Sequence, residues 1–196
     1  MRTYTDLVEG GVLSADAAQA RAAASLQRLY DDLSRNGRGR RSLFRKARPP
    51  ESLYLYGGVG RGKSLLMDLF FEEAPVEKKR RVHFHDFMLE THRQIFRWRN
   101  LAAEERRARP EYVKGVEEDP LPPAAKAVAL KADLICFDEV QVTDIADAMI
   151  LGRLFENLLE FGVTFVATSN RPPSDLYKDG INRQLFLPFI DLLVSR

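Results

Sequence analysis

The chain is 196 residues long and 45% hydrophobic, with 30 basic and 28 acidic residues and a formal charge of +2. That length supports one α/β domain with its own core and a small appendage. Single Cys136 excludes an internal disulfide and fits a reducing cytosol. No apolar run approaches the roughly 20 residues of a membrane span, and MRTYTDLVEGG lacks the build of a signal peptide, so a cytoplasmic protein is expected.

Residues Ala15 to Leu33 read as a helix, with Leu26, Leu29, Tyr30 and Leu33 spaced along one face and Gly37 and Gly39 ending it. From Arg35 to Arg48 the chain carries no acid. This basic segment reads either as a linker with a solvated face or as a contact for a membrane, a protein or nucleic acid. Residues 1–48 are therefore taken as an N-terminal helix and linker, and 49–196 as the core.

The core opens on Leu53-Tyr54-Leu55-Tyr56, a strand-like run, followed by Gly57-Gly58-Val59-Gly60-Arg61-Gly62-Lys63-Ser64 and an apolar helix start at Leu65. The spacing G-x-x-x-x-G-K-S between a strand and a helix is the P-loop pattern. Glycines let successive N–H groups turn onto an anion, and the helix N-terminus points its positive end there. Gly57 to Leu65 would cradle the phosphates of ATP or ADP, Lys63 would reach the β- and γ-phosphates, and Ser64 would offer its hydroxyl to Mg²⁺.

Further on, a second basic run, Lys78-Lys79-Arg80-Arg81, precedes Val82 to Phe87, which reads as a strand and would put His83 and His85 on one face. A helix is expected from Met88 through Leu89, His92, Ile95 and Phe96. A metal site of His83, His85 and His92 lacks a completing cysteine or carboxylate, so these histidines read as structural or nucleotide-adjacent. Arg109 to Pro123 reads as a loop, in which Tyr112 either grips a threaded chain or packs the loop onto the domain.

Leu134 to Phe137 is the apolar run of a strand buried on both faces, and it ends in Asp138-Glu139. A helix capped near Thr143 or Asp144 follows, with Ile145, Met149, Phe155 and Leu159 expected on its buried side. Val163 to Ala167 is another buried strand, ending in Thr168-Ser169-Asn170. Alternating strands and helices predict a three-layer α/β/α P-loop core with a parallel sheet. Ligands then bind beyond the carboxyl ends of the strands, where the P-loop, Asp138-Glu139 and Asn170 all fall. Asp138 is placed to hold Mg²⁺ through its water shell and Glu139 to polarise an attacking water, so the pair points to hydrolysis. Asn170 would bond that water or the γ-phosphate, and Arg183 reads as an arginine finger offered to a neighbouring subunit, with Arg171 structural or intersubunit.

Together, Gly57–Ser64, HFHDFM at His83–Met88, DEVQVTDIADAMIL at Asp138–Leu151 and VATSNRPPSDLYKDGINRQLFLPFI at Val166–Ile190 resemble the ZapE/AFG-like AAA+ ATPases. Asp16, Gln19 and the first helix extend the likeness over nearly the whole chain. The resemblance places Lys63 and Ser64 on Walker A, Asp138 and Glu139 on Walker B, Asn170 on sensor 1 and Arg183 on the arginine-finger segment. It implies ATP, Mg²⁺ and nucleotide-dependent homo-oligomers. For bacterial members it implies work on the FtsZ division ring, and for mitochondrial ones protein quality control; the bacterial, cytosolic branch fits better. It also implies a fifth strand and a helical lid that do not follow here, so a truncated core with its P-loop strand at an open sheet edge is expected. Two other readings stand beside hydrolysis: a nucleotide-gated interaction module with little turnover, and a helicase-loader-like protein that touches DNA through Arg35–Arg48.

Overall fold

Two fully buried, largely apolar strands occupy the middle of a four-stranded parallel sheet, where helices cover both of their faces. The structure, a computed structural model, describes residues 4–11, 16–38, 50–60 and 62–194. Helix α1 (Tyr4–Glu9) and helix α2 (Ala17–Arg38) precede strand β1 (Leu53–Tyr56) and helix α3 (Lys63–Glu73). Strand β2 (Lys79–His83), helices α4 (Phe84–Arg99), α5 (Ala103–Arg107) and α6 (Leu121–Ala129) lead to strand β3 (Leu134–Asp138). Helix α7 (Ile145–Glu160), strand β4 (Thr164–Ser169), two short 3-10 turns and helix α8 (Leu187–Val194) complete the order. The strands lie in the order β1-β4-β3-β2, which puts β1 at one edge among the described residues.

Alternation along the central strands divides the core. Leu134, Cys136 and Val166 face α2 and α3, whose Leu26, Leu29, Leu66, Met67 and Phe70 cover them. Ile135, Phe137, Phe165 and Ala167 face α4, α6, α7 and α8. There Phe87 meets Phe137 at 4.8 Å between ring centroids, and Phe155 stands 5.0 Å from both Phe165 and Phe189. Each such edge-on pair adds about 0.5–1.5 kcal/mol beyond its burial.

Register places the site. Tyr56 pairs with Ser169, His83 with Asp138 and Phe137 with Ala167, so the carboxyl ends of all four strands finish at one level. Each strand delivers its next residue to that edge.

Several expectations are corrected. The run Val82 to Phe87 is not one strand: β2 ends at His83, and α4 begins at Phe84 because Phe84, Phe87 and Met88 bury themselves at helical spacing. His83 and His85 therefore do not share a strand face. Helix α2 runs through Gly37, the first of the two expected stops, to Arg38, and is opened by Asp16, whose Oδ1 accepts from the N–H of Ala18 at 2.6 Å. On α7 the buried residues are Ala148, Leu151, Leu154, Phe155, Leu158 and Leu159, whereas Ile145 and Met149 are exposed. The helix tilts its apolar stripe toward α6 and α8 and away from its own first turn. The expected loop from Arg109 is cut short by α6, whose first turn accepts Pro122 and Pro123 where N–H groups have no helical partner anyway. Arg61, and the basic segment from residue 39 to 48, lie outside the described residues.

Candidate nucleotide site

Strand β1 turns into the glycine-rich loop with Gly57 donating its N–H to the Ser169 carbonyl of β4 at 3.3 Å. Gly60 and Gly62 take φ of 76° and 71°, the left-handed region that a side chain disfavours, and Gly62 caps α3. Lys63 leads α3 and folds its ammonium back over the loop, donating to the carbonyls of Gly57 at 2.7 Å and Gly58 at 2.8 Å. It also donates to Asn170 Oδ1 at 3.1 Å, across 107 residues of sequence. Burial lowers the Lys63 pKa, and the nearby charge of Glu139 works against that shift. Val59, Gly60, Gly62, Lys63, Ser64, Leu65, Glu139 and Asn170 border one cleft of about 410 Å³. Of the predicted site residues it gathers Val59, Gly60 and Gly62 to Leu65 of the phosphate-binding stretch, the acid after β3 and the asparagine after β4.

Asp138 ends β3, nearly buried. Arg81, two residues before the end of the neighbouring β2, grips both of its oxygens, with Nε at 2.7 Å from Oδ2 and Nη2 at 3.1 Å from Oδ1. The same guanidinium forms an ion pair with Asp68 of α3. One arginine thus ties the helix after the P-loop to the acid of the adjacent strand, with the planar fork that guanidinium–carboxylate pairing favours. Ser64, Asp138 and Glu139 border a second cleft of about 470 Å³ together with Arg81. A serine hydroxyl and two carboxylates are hard oxygen donors, and such a set suits Mg²⁺, which needs few protein ligands beside phosphate and water.

Glu139 adopts a left-handed φ of 54°, unusual for a residue with a side chain. Buried Thr168 and Ser169 hold that turn. Glu139 donates its N–H to Thr168 Oγ1 at 3.2 Å, Val140 donates to the Thr168 carbonyl at 2.7 Å, and Ser169 Oγ donates to the Val140 carbonyl at 2.8 Å. The strained turn points Glu139 into both clefts instead of along the sheet. Neither Arg81 nor Thr168 stood out in the sequence. Arg81 was hidden within a basic run whose other members bind elsewhere: Lys78 donates to the Leu130 carbonyl, Lys79 to the carbonyls of Phe71, Glu72 and Ala74 at the end of α3, and Arg80 pairs with Glu90.

A third cleft, of about 550 Å³, continues from Gly57, Gly58 and Lys63 between Tyr54 and Tyr56 of β1 and Asp16, Gln19 and Ala22 of the first long helix. Within it Gln19 Oε1 is buried without a hydrogen-bond partner. Tyr54 donates its hydroxyl to the Arg171 carbonyl at 2.9 Å, and burial pushes its pKa up to about 12.

Arg183 borders none of these clefts. It lies on a 3-10 turn, Arg183–Leu185, and donates from Nη2 to the Ser174 carbonyl at 2.6 Å, while its Nε is buried without a partner. His92 Nε2 meets Asp147 Oδ1 of α7 at 2.6 Å, away from His83 and His85. Among the described residues, no group of three or more His, Cys, Asp or Glu could hold a metal. Tyr112 donates its hydroxyl to Glu117 at 2.7 Å, which folds the loop onto itself.

The AFG1-like ATPase family model matches residues 1–196. Lactation elevated protein 1 homolog B of Danio rerio is 43% identical over 178 residues, or 91% of this chain and 34% of that protein. Cell division protein ZapE of Escherichia coli K12 is 43% identical over 148 residues, 76% of this chain and 35% of that one. The chain therefore spans about a third of the length of these relatives. AMPPCP-bound DnaA from Aquifex aeolicus shares the fold, with a TM-score of 0.57 at 16% identity over 93% of this chain and 46% of that one. Domain III of the Thermotoga maritima replication initiation protein DnaA does so with a TM-score of 0.54 at 17% identity, over 90% and 61% of the respective chains. The parallel sheet, with its glycine-rich loop between β1 and α3, shares the fold of these neighbours. With a sequence match over its whole length, the chain belongs to the AFG1-like ATPase family.

Proposed function

We propose that this chain binds ATP with Mg²⁺ and hydrolyses it, and the observation that carries the reading is the meeting of Lys63, Ser64, Glu139 and Asn170 at one cleft. In this reading the loop from Gly57 to Gly62 presents N–H groups to the phosphates and Lys63 exchanges its loop carbonyls for phosphate oxygens. Mg²⁺, held by Ser64 and Asp138, would neutralise charge on the transferred phosphoryl group. Glu139, aimed by its strained turn, takes the proton of the attacking water, and Asn170 orients that water or the γ-phosphate. The cleft beside Gln19 takes the base: its unpaired Oε1 would accept from the exocyclic amine of adenine, whereas guanine offers an acceptor at that edge.

Phosphate release tests the reading. Lys63→Ala is expected to abolish nucleotide binding, and Glu139→Gln to keep binding while turnover falls about 10²–10⁴-fold. Equal turnover by Glu139→Gln and the parent removes Glu139 as the base. Arg183 acting in trans on a neighbouring subunit predicts that Arg183→Ala subunits regain turnover when mixed with Lys63→Ala subunits. Kinship with cell division protein ZapE supports a partner in the division ring. Co-sedimentation of the chain with FtsZ polymers in ATP, absent in the Lys63→Ala variant, is the expected result.

One observation favours a second reading, in which the chain binds nucleotide but hardly turns it over. Both oxygens of Asp138 are engaged by Arg81. Calorimetric binding of ATP without phosphate release supports that reading.

A further inference from the structure

At the opposite end of the sheet from the P-loop, α4 and α6 form a separate cleft of about 390 Å³. Lys131 and Leu130 border it just before β3 begins, whereas Asp138 ends that strand. At about 3.3 Å per residue the strand alone puts roughly 13 Å between the two levels. The wall is apolar, formed by Trp98, Ala124 and Leu130, and Leu130 is 46% exposed.

Two features of this cleft point to a ligand. Gln94 lines it from α4, and its Oε1 is buried without a hydrogen-bond partner, an arrangement that destabilises the fold unless a donor is supplied. Arg97, Arg109 and Lys131 stand exposed around the rim, and among the described residues none of the three side chains makes an ion pair or hydrogen bond. Lys131 acts only at a distance on Glu90, which is already paired with Arg80. Glu111 is the single acid on the rim, so three cations against one acid leave the cleft basic. Arg97 and Lys131 also complement the negative ends of α4 and α6, but that leaves the Gln94 oxygen unexplained.

We propose that the cleft between α4 and α6 binds an acidic, apolar peptide segment of a protein partner. Three demands select this chemistry. The Gln94 oxygen, reached once its half-buried side chain turns into the cleft, needs an N–H donor, the rim needs carboxylates, and the Trp98–Leu130 wall needs aliphatic side chains. A peptide backbone with leucine-like and acidic side chains meets all three. An inorganic anion meets only one. Charge complementarity at a basic rim sets specificity and association rate, and the nucleotide site lies on the far edge, so the two can be occupied together.

Trp98 is the only tryptophan in the chain, so its fluorescence reports on this cleft. The probe is a mixed pool of blocked hexapeptides built only from leucine, aspartate and glutamate, titrated into the full chain. A matched pool with lysine in place of the acids and inorganic phosphate are run beside it. The expected result is a saturable change with the acidic pool alone. It should weaken at least about tenfold in Arg97→Glu/Lys131→Glu and in Gln94→Leu, and persist in Lys63→Ala. No saturable change, an equal response to the lysine pool or to phosphate, or loss of binding in Lys63→Ala overturns the proposal. If the charge-reversed variant shows no melting transition, Gln94→Leu decides, because it replaces an unpaired buried amide with an apolar group.

Discussion

Arg81 offers the sharpest test of how the site is held together. Replacing it with leucine leaves Asp138, whose side chain is 12% exposed, as a nearly buried carboxylate without its guanidinium, and releases Asp68 as well. Removing one partner of a fully buried pair costs about 3–5 kcal/mol, but the Arg81 side chain is 29% exposed and water screens part of the interaction. About 2 kcal/mol is the expected loss. For a domain of this size that lowers Tm by about 4–8 °C. Differential scanning fluorimetry measures it, and a double-mutant cycle with Asp138→Asn isolates the pair. A second readout separates a local from a general effect: with Arg81 gone, Asp138 is free for a cation, so added Mg²⁺ should raise the Tm of Arg81→Leu more than that of the parent. A shift under about 1 °C, or a coupling energy below the roughly 0.5 kcal/mol at which independent sites already scatter, would refute the argument.

Thr168→Val removes the acceptor of the Glu139 N–H and is expected to cost about 1–3 kcal/mol. Phosphate release should fall while calorimetric nucleotide affinity holds, because the P-loop is untouched. Phe155→Ala empties the centre of the phenylalanine cluster at a cost of about 3–5 kcal/mol, a large part of the 5–15 kcal/mol typical of a domain; urea unfolding should show the midpoint shift. Glu117 is held down at about 2, first by the Tyr112 hydroxyl and then by the Gly115 N–H, from an ordinary value of 4.5. A depressed carboxylate stabilises its loop above the ordinary value, and this contribution is lost as pH falls from about 4.5 through about 2. In Tyr112→Phe the Glu117 carboxyl, followed by NMR, should titrate closer to 4.5.

The P-loop was legible because its residues are contiguous and their conformations are dictated locally, by glycines at positive φ and a helix start at Lys63. The buried strands β3 and β4 were legible from their apolar stretches, Leu134 to Phe137 and Phe165 to Ala167. The junction at His83 was misread because Val82 to Phe87 satisfies strand alternation for a few residues while Phe84, Phe87 and Met88 satisfy helical spacing. The second pattern won because those three side chains reach the core. The buried side of α7 was misjudged at Ile145 and Met149 for a related reason. Hydrophobicity marks a stripe, and packing against α6 and α8 decides which part of it is covered.

By itself, then, the sequence determined the loop, the strands that lead to Asp138 and Asn170, and the family. Tertiary structure alone decided what those groups touch. Lys63 reaches Asn170 across 107 residues, Arg81 reaches Asp138 across 57, and Tyr54 reaches the Arg171 carbonyl across 117. Parallel register makes these contacts, because each strand's end is set beside its neighbour only after the helices between them have crossed over and packed. The Gln94 cleft has the same origin. Its rim comes from α4, the loop at Arg109 and the end of α6, segments that no spacing in the sequence connects.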